Sequence, residues 1–225
     1  MKGQVLIMIT EKINMEITVT GSDDGLNTYE ICRKLGDNGK KALVIELYPT
    51  ITAERCECID ASTMHLINHC KELGWSEVSV VNLYSTVFDE KPSVARLNED
   101  CNNMAYIEEF LEKDNIKEYD IVIAWGSSLS THRQTINLKI DLLSMLADKG
   151  LKDNVKCIIT RNIDTCSGCG VHPLYLGLHF SREKWELCAF PIKDTLSGLE
   201  KILHPVTTDE KKKKGGKKNV SKNKE

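Results

Sequence analysis

The chain has 225 residues, 41% of them hydrophobic and 28% charged, with a formal net charge of −3. That length suits one large α/β domain, expected over residues 1–205, and no apolar run approaches the ~20 residues of a membrane-spanning helix. Residues 206–225 hold eight lysines against three acids, a charge of +5 that leaves −8 on the rest, so a broad DNA-binding face is excluded for the body.

In chain order, "QVLIMIT" (4–10) is too short and too soon followed by charges for a secretory signal, and a cytoplasmic location is expected. "MEITVTG" (15–21) and "TYEICRKLG" (28–36) alternate in polarity and suggest an antiparallel hairpin at a sheet edge. "KKALVIEL" (40–47) reads as a buried strand ending in a turn at Tyr48-Pro49. "STMHLINHCKELGW" (62–75) spaces Met64, Leu66, Ile67, Cys70 and Leu73 as a helix, with Gly74 at its C-cap. A strand follows at 77–84, a helix at 103–115, a strand at 119–125, a helix at 134–150 and a strand at 154–160. Residues 177–205 give no clear assignment. The Lys-rich tail has too little apolar surface to pack and is expected to be disordered, serving solubility or a weak nucleic-acid contact.

Strands apolar on both faces that alternate with helices imply a three-layer α/β sandwich. Its central sheet is expected to have four mainly parallel strands plus the N-terminal hairpin. Ligands bind such sheets at the loops leaving the carboxyl ends of the strands. Those loops are 48–60, 82–86, 125–128 and 161–176.

Asn82 closes the second core strand, either as a buried amide holding two loops or as a donor and acceptor for a ligand. Trp125, before the turn at Gly126-Ser127, is either core or a stacking platform. His172 precedes Pro173, which fixes an extended backbone and projects the imidazole from the loop. In "TCSGCGVHPLYL" (165–176) the glycines are read as letting the backbone approach a ligand, with Tyr175 beside it. Nine cysteines without a secretory signal favour free thiols over a disulfide framework, with Cys70 and Cys157 as small buried apolar residues. The first expectation is that no cofactor is bound. Cys56, Cys58, Cys166 and Cys169 form the alternative, four thiolates for zinc or an iron–sulfur cluster. His65 and His69, four apart, are read as a solvated helix face before a metal pair.

The motifs at these loops resemble a bacterial and phage family known as domain of unknown function 1643, whose pattern runs LNPSTAD, D-P-T, V-V-N-L, A-W-G and H-P-L-Y-L. The matching residues are Leu47-Tyr48-Pro49-Thr50, Asp60-Ala61-Ser62, Val80-Val81-Asn82-Leu83, Ala124-Trp125-Gly126 and His172-Pro173-Leu174-Tyr175-Leu176, within a core of about 28–176. The same order of motifs is similar, more remotely, to the uracil-DNA glycosylase superfamily. That resemblance implies a pocket for a nucleobase- or nucleotide-like small molecule. Asn82 would read the base edge, His172 would be the catalytic electrophile, and Tyr48, Pro49, Trp125, Gly126, Ser127 and Tyr175 would complete the pocket. The water-positioning residue falls on Tyr48, which cannot place a hydrolytic water in the same way. Glu46, two residues earlier, is expected to point to the opposite side of the strand from its neighbours. Two readings are open: an enzyme that hydrolyses an N-glycosidic bond with altered chemistry, or a non-catalytic module binding a nucleotide or a protein.

Overall fold

The computed structural model describes residues 10–88, 90–163 and 168–205. The expected tail (206–225) and Cys166 lie outside these residues. The strands are β1 (Glu16–Gly21), β2 (Thr28–Lys34), β3 (Lys40–Glu46), β4 (Trp75–Asn82), β5 (Tyr119–Ile123), β6 (Val155–Ile159) and β7 (Glu186–Ala189). The helices are α1 (Ala61–Leu73), α2 (Cys101–Phe110), α3 (Arg133–Asp148), α4 (Pro173–Phe180) and α5 (Ile192–Leu203).

One seven-stranded sheet runs in the order β1-β2-β4-β3-β5-β6-β7. The four runs expected as core strands, β4, β3, β5 and β6, lie side by side and parallel. The expected four-stranded sheet is nevertheless too small. The β1–β2 hairpin pairs antiparallel with β4, and β7 pairs antiparallel with β6, which makes the sheet mixed. The sequence hid β7 because "ELCA" is four residues long, contains no β-branched side chain and is only half-buried.

Alternation along β3 explains the layers. Leu43 and Ile45 pack with side chains of α2, α3 and α5, while Ala42 and Val44 pack with Leu66 and Cys70 of α1 and Leu176 of α4. All four are fully buried, and each buried large aliphatic side chain contributes roughly 1.5–3 kcal/mol. Two-sided burial of this kind is what a continuous apolar strand requires. Cys70 is buried among apolar neighbours, as expected, while Cys157 is buried with its Sγ 3.2 Å from Cys188 Sγ.

Helix α1 starts where Asp60 Oδ1 accepts a hydrogen bond from the Thr63 amide at 2.7 Å. It ends at Gly74, whose φ of 74° suits the left-handed C-cap. Helix α4 starts at His172-Pro173. Both helix N-termini therefore face the carboxyl ends of β3 and β4. No helix among the described residues is long and apolar enough to cross a membrane.

Candidate functional site

Glu46 and Asn82 are the last residues of β3 and β4 and are register partners in the parallel ladder. They share the strand face of Val44 and Val80, which is the α1 and α4 side, so their side chains emerge next to each other. Beyond β5 the chain turns at Gly126, whose φ is 68° and where a Cβ would stand 3.2 Å from the His172 Cβ. A cavity of about 150 Å³ lies between these elements, lined by Glu46, Tyr48, Pro49, Thr50, Asp60, Asn82, Trp125, Ser128, His172 and Leu174 among others. A larger cleft of about 410 Å³ lies near Phe190, Pro191 and Ile192. None of the buried polar side-chain atoms left without a partner belongs to a residue lining that cleft, whereas three such residues line the smaller cavity.

Those three are Glu46, Asn82 and Trp125: Glu46 Oε1, Asn82 Oδ1 and Trp125 Nε1 are buried with no hydrogen-bond partner among the described residues. Leaving a buried polar atom unpaired costs roughly 1–3 kcal/mol, and here three such atoms converge on one cavity. The loop-holding amide considered for Asn82 is instead Asn103, whose Nδ2 donates to the Asn82 and Leu83 carbonyls at 2.8 and 3.3 Å.

Burial, reinforced by the negative charge of Asp60, pushes the Glu46 carboxyl up to about 8. His172 Nδ1 accepts a hydrogen bond from the Leu174 amide at 3.2 Å, so a neutral ring carries its hydrogen on Nε2. That nitrogen lies 3.8 Å from Glu46 Oε2. Burial lowers the His172 pKa and Asp60 partly opposes this; the side chain remains 30% exposed, which limits the shift. The separation exceeds a hydrogen bond, and burial favours the neutral form of each partner. At pH 7 the pair is a carboxylic acid facing a neutral imidazole, not an ion pair. Asp60 supplies the cavity's negative charge, and its oxygens accept from the Thr63 amide and from Thr50 Oγ1 at 2.6 Å.

Of the expected site residues, Tyr48, Pro49, Asn82, Trp125 and His172 line this cavity, while Gly126, Ser127 and Tyr175 do not. Ser128 stands where Ser127 was expected, and Tyr175 is half-exposed against His179. Tyr48 sets its ring edge-on to Phe88. Trp125 is 1% exposed and packs edge-on to Phe190, so it is core that floors the cavity, not a free stacking platform. Glu46 does lie opposite its neighbours Ile45 and Leu47, but that opposite face is the one carrying the cavity.

The glycines of the 165–176 stretch lie close against protein on their Cβ side. A Cβ on Gly168 would stand 2.9 Å from Thr195 Oγ1, and one on Gly170 would stand 2.0 Å from the Ile123 carbonyl oxygen. His69 is not solvated either. It is buried, stacked on Trp185 with centroids 3.8 Å apart, and its Nδ1 lies 2.8 Å from the His65 carbonyl oxygen. Among the described residues no group of three or more His, Cys, Asp or Glu side chains could hold a metal ion. Cys166 lies outside them.

Sequence reasoning missed Glu46, Asp60 and Ser128 as cavity residues, and it missed Lys139. The Lys139 side chain is buried behind Trp125 with Nζ 5.3 Å from the indole centroid, and burial pulls its amine down to about 8. Its position on the buried stripe with Thr135, Leu138 and Leu142 was a readable signal.

Fold and site together define a three-layer α/β protein with a small, mostly uncharged polar cavity at the carboxyl ends of its parallel strands. The chain belongs to the family described as Protein of unknown function (DUF1643), whose model matches residues 29–174. The chain has no match among the curated proteins. Among solved structures it is similar to carboxyl esterase 2 from the mycorrhizal fungus Tuber melanosporum, at 12% identity and a TM-score of 0.33. That likeness covers 61% of this chain and 43% of the esterase.

Proposed function

We propose that the cavity binds a planar, uncharged, hydrogen-bonding group of nucleobase type, and that Glu46 and His172 assist cleavage of the bond joining it to a sugar. The observation that carries this reading is the pair of buried, unpartnered oxygens, Glu46 Oε1 and Asn82 Oδ1, on adjacent strand ends. An amide and a neutral carboxylic acid offer donors and acceptors that match a base edge without bringing charge. When an N-glycosidic bond breaks, its electron pair moves onto the base. The His172 Nε2–H and the Glu46 O–H are donors of the kind that stabilise or protonate that developing anion. Water then adds to the sugar carbon, and the proton it releases passes to the Glu46 carboxylate left by protonating the base, which restores the acid.

A second reading, binding without cleavage, is favoured by the state of Asp60, whose two oxygens are already engaged, and by Tyr48, which supplies no carboxylate to direct a water. Incubation of the protein with nucleosides, followed by chromatography for free base, separates the two. Release of base that stops in Glu46→Gln supports cleavage. A thermal shift without release supports binding alone, and neither shift nor release contradicts both.

A further inference from the structure

We infer that this site selects an unphosphorylated ligand, a free base or nucleoside, and that Asp60 is the residue that turns the phosphorylated form away. The inference rests on the reading of the cavity as a nucleobase site. Among the described residues that line the cavity there is no lysine or arginine. The segment 164–167, which precedes the His172 loop and lies outside the described residues, contains none in its sequence.

Phosphate is ordinarily received by basic side chains or by free amides at a helix N-terminus. Two helix N-termini face this cavity, and in each one first-turn amide is capped from within the chain. Asp60 Oδ1 takes the Thr63 amide of α1, and His172 Nδ1 takes the Leu174 amide of α4. Asp60 is also tethered by Thr50 Oγ1, which holds the carboxylate at the cavity wall. A phosphate entering with the base would meet that anion at the cavity wall; the cation that acts on Asp60, Arg33 of β2, is buried outside the lining, where its Nη2 donates to the Cys58 carbonyl. The field of Asp60 reaches the cavity floor, since it acts on both Glu46 and His172. A bare base or nucleoside has no such conflict.

The test uses the full chain, titrated calorimetrically with adenosine, guanosine, cytidine, uridine and thymidine and with the 5′-monophosphate of each. For any nucleoside that binds, the monophosphate is expected to bind at least about tenfold more weakly, the scale of one unrelieved like-charge contact. Asp60→Asn removes the charge and retains an N-cap oxygen, and it should close most of that gap. Ser128→Lys, which places a cation on the rim, should close it from the other side without touching α1.

A monophosphate that binds the wild type as tightly as its nucleoside overturns the exclusion and leaves the base site standing. A gap that persists unchanged in Asp60→Asn overturns the role of Asp60. Absence of binding by every nucleoside and monophosphate overturns the underlying reading together with this inference.

Discussion

Replacing Glu46 by glutamine is expected to make the protein more stable than the wild type at alkaline pH and no more stable at acidic pH. The carboxyl titrates near 8 in the folded chain against an ordinary 4.5. Between those values the folded state holds a proton that the unfolded state has released, so stability is fully present below about pH 4.5 and is lost as pH rises toward 8. At 1.36 kcal/mol per unit the loss is about 5 kcal/mol at most. Glutamine fills the same space without an ionisable proton. Urea unfolding across this range should therefore give curves that coincide at the acid end and separate steadily above it. Curves that stay parallel would show that the carboxyl is ionised throughout.

Two other groups shape the wild-type profile without imitating this effect. His172 has its pKa lowered, so its contribution grows as pH rises toward 6.5. Lys139, pulled from 10.5 to about 8, gains stability only above that value. Lys139 acts alike in wild type and variant, whereas His172, whose Nε2 lies 3.8 Å from Glu46 Oε2, titrates together with Glu46, so the difference between the curves reports the Glu46–His172 pair.

Gly170→Ala should be the most damaging conservative change in the loop before α4. Its φ of 58° already disfavours a side chain, and the added Cβ would stand 2.0 Å from the Ile123 carbonyl oxygen, a backbone atom that cannot swing aside. Left-handed strain and overpacking together cost about 2–5 kcal/mol. Relieving the clash displaces the loop that carries His172, so ligand binding should fall as well. Gly150→Ala is the matched control, with a φ of 72° and nothing within 4 Å of the new Cβ. Its cost is about 1–2 kcal/mol. Equal losses in the two variants, measured by thermal unfolding, would remove the close contact with β5 from the explanation.

The parallel strands and α1 were legible because each follows one dominant rule. The strands are short β-branched runs apolar on both faces, and α1 combines a 3.6-residue apolar spacing with a glycine at its end. The site was legible in part, because Asn82 and His172 are polar residues at strand and helix ends that topology brings to one edge. Glu46 was not legible as a site residue. Alternation placed its side chain opposite its neighbours, yet only the pairing of β3 with β4 and the crossing of α1 and α4 determine which face holds the cavity. The glycines of the 165–176 stretch misled for a similar reason. A glycine reports that something approaches closely, and its identity, here β5 and α5, is tertiary information.

Calorimetric titration of cytidine and uridine into the wild type and into Asn82→Ala, at about pH 6 where Glu46 is protonated, tests the nucleobase site itself. Binding by the wild type that weakens by about 1–3 kcal/mol when the Asn82 amide is removed is the predicted result. Equal binding by both proteins, or no binding by these or by any other nucleoside, contradicts the assignment of Glu46 and Asn82 as the ligand's partners.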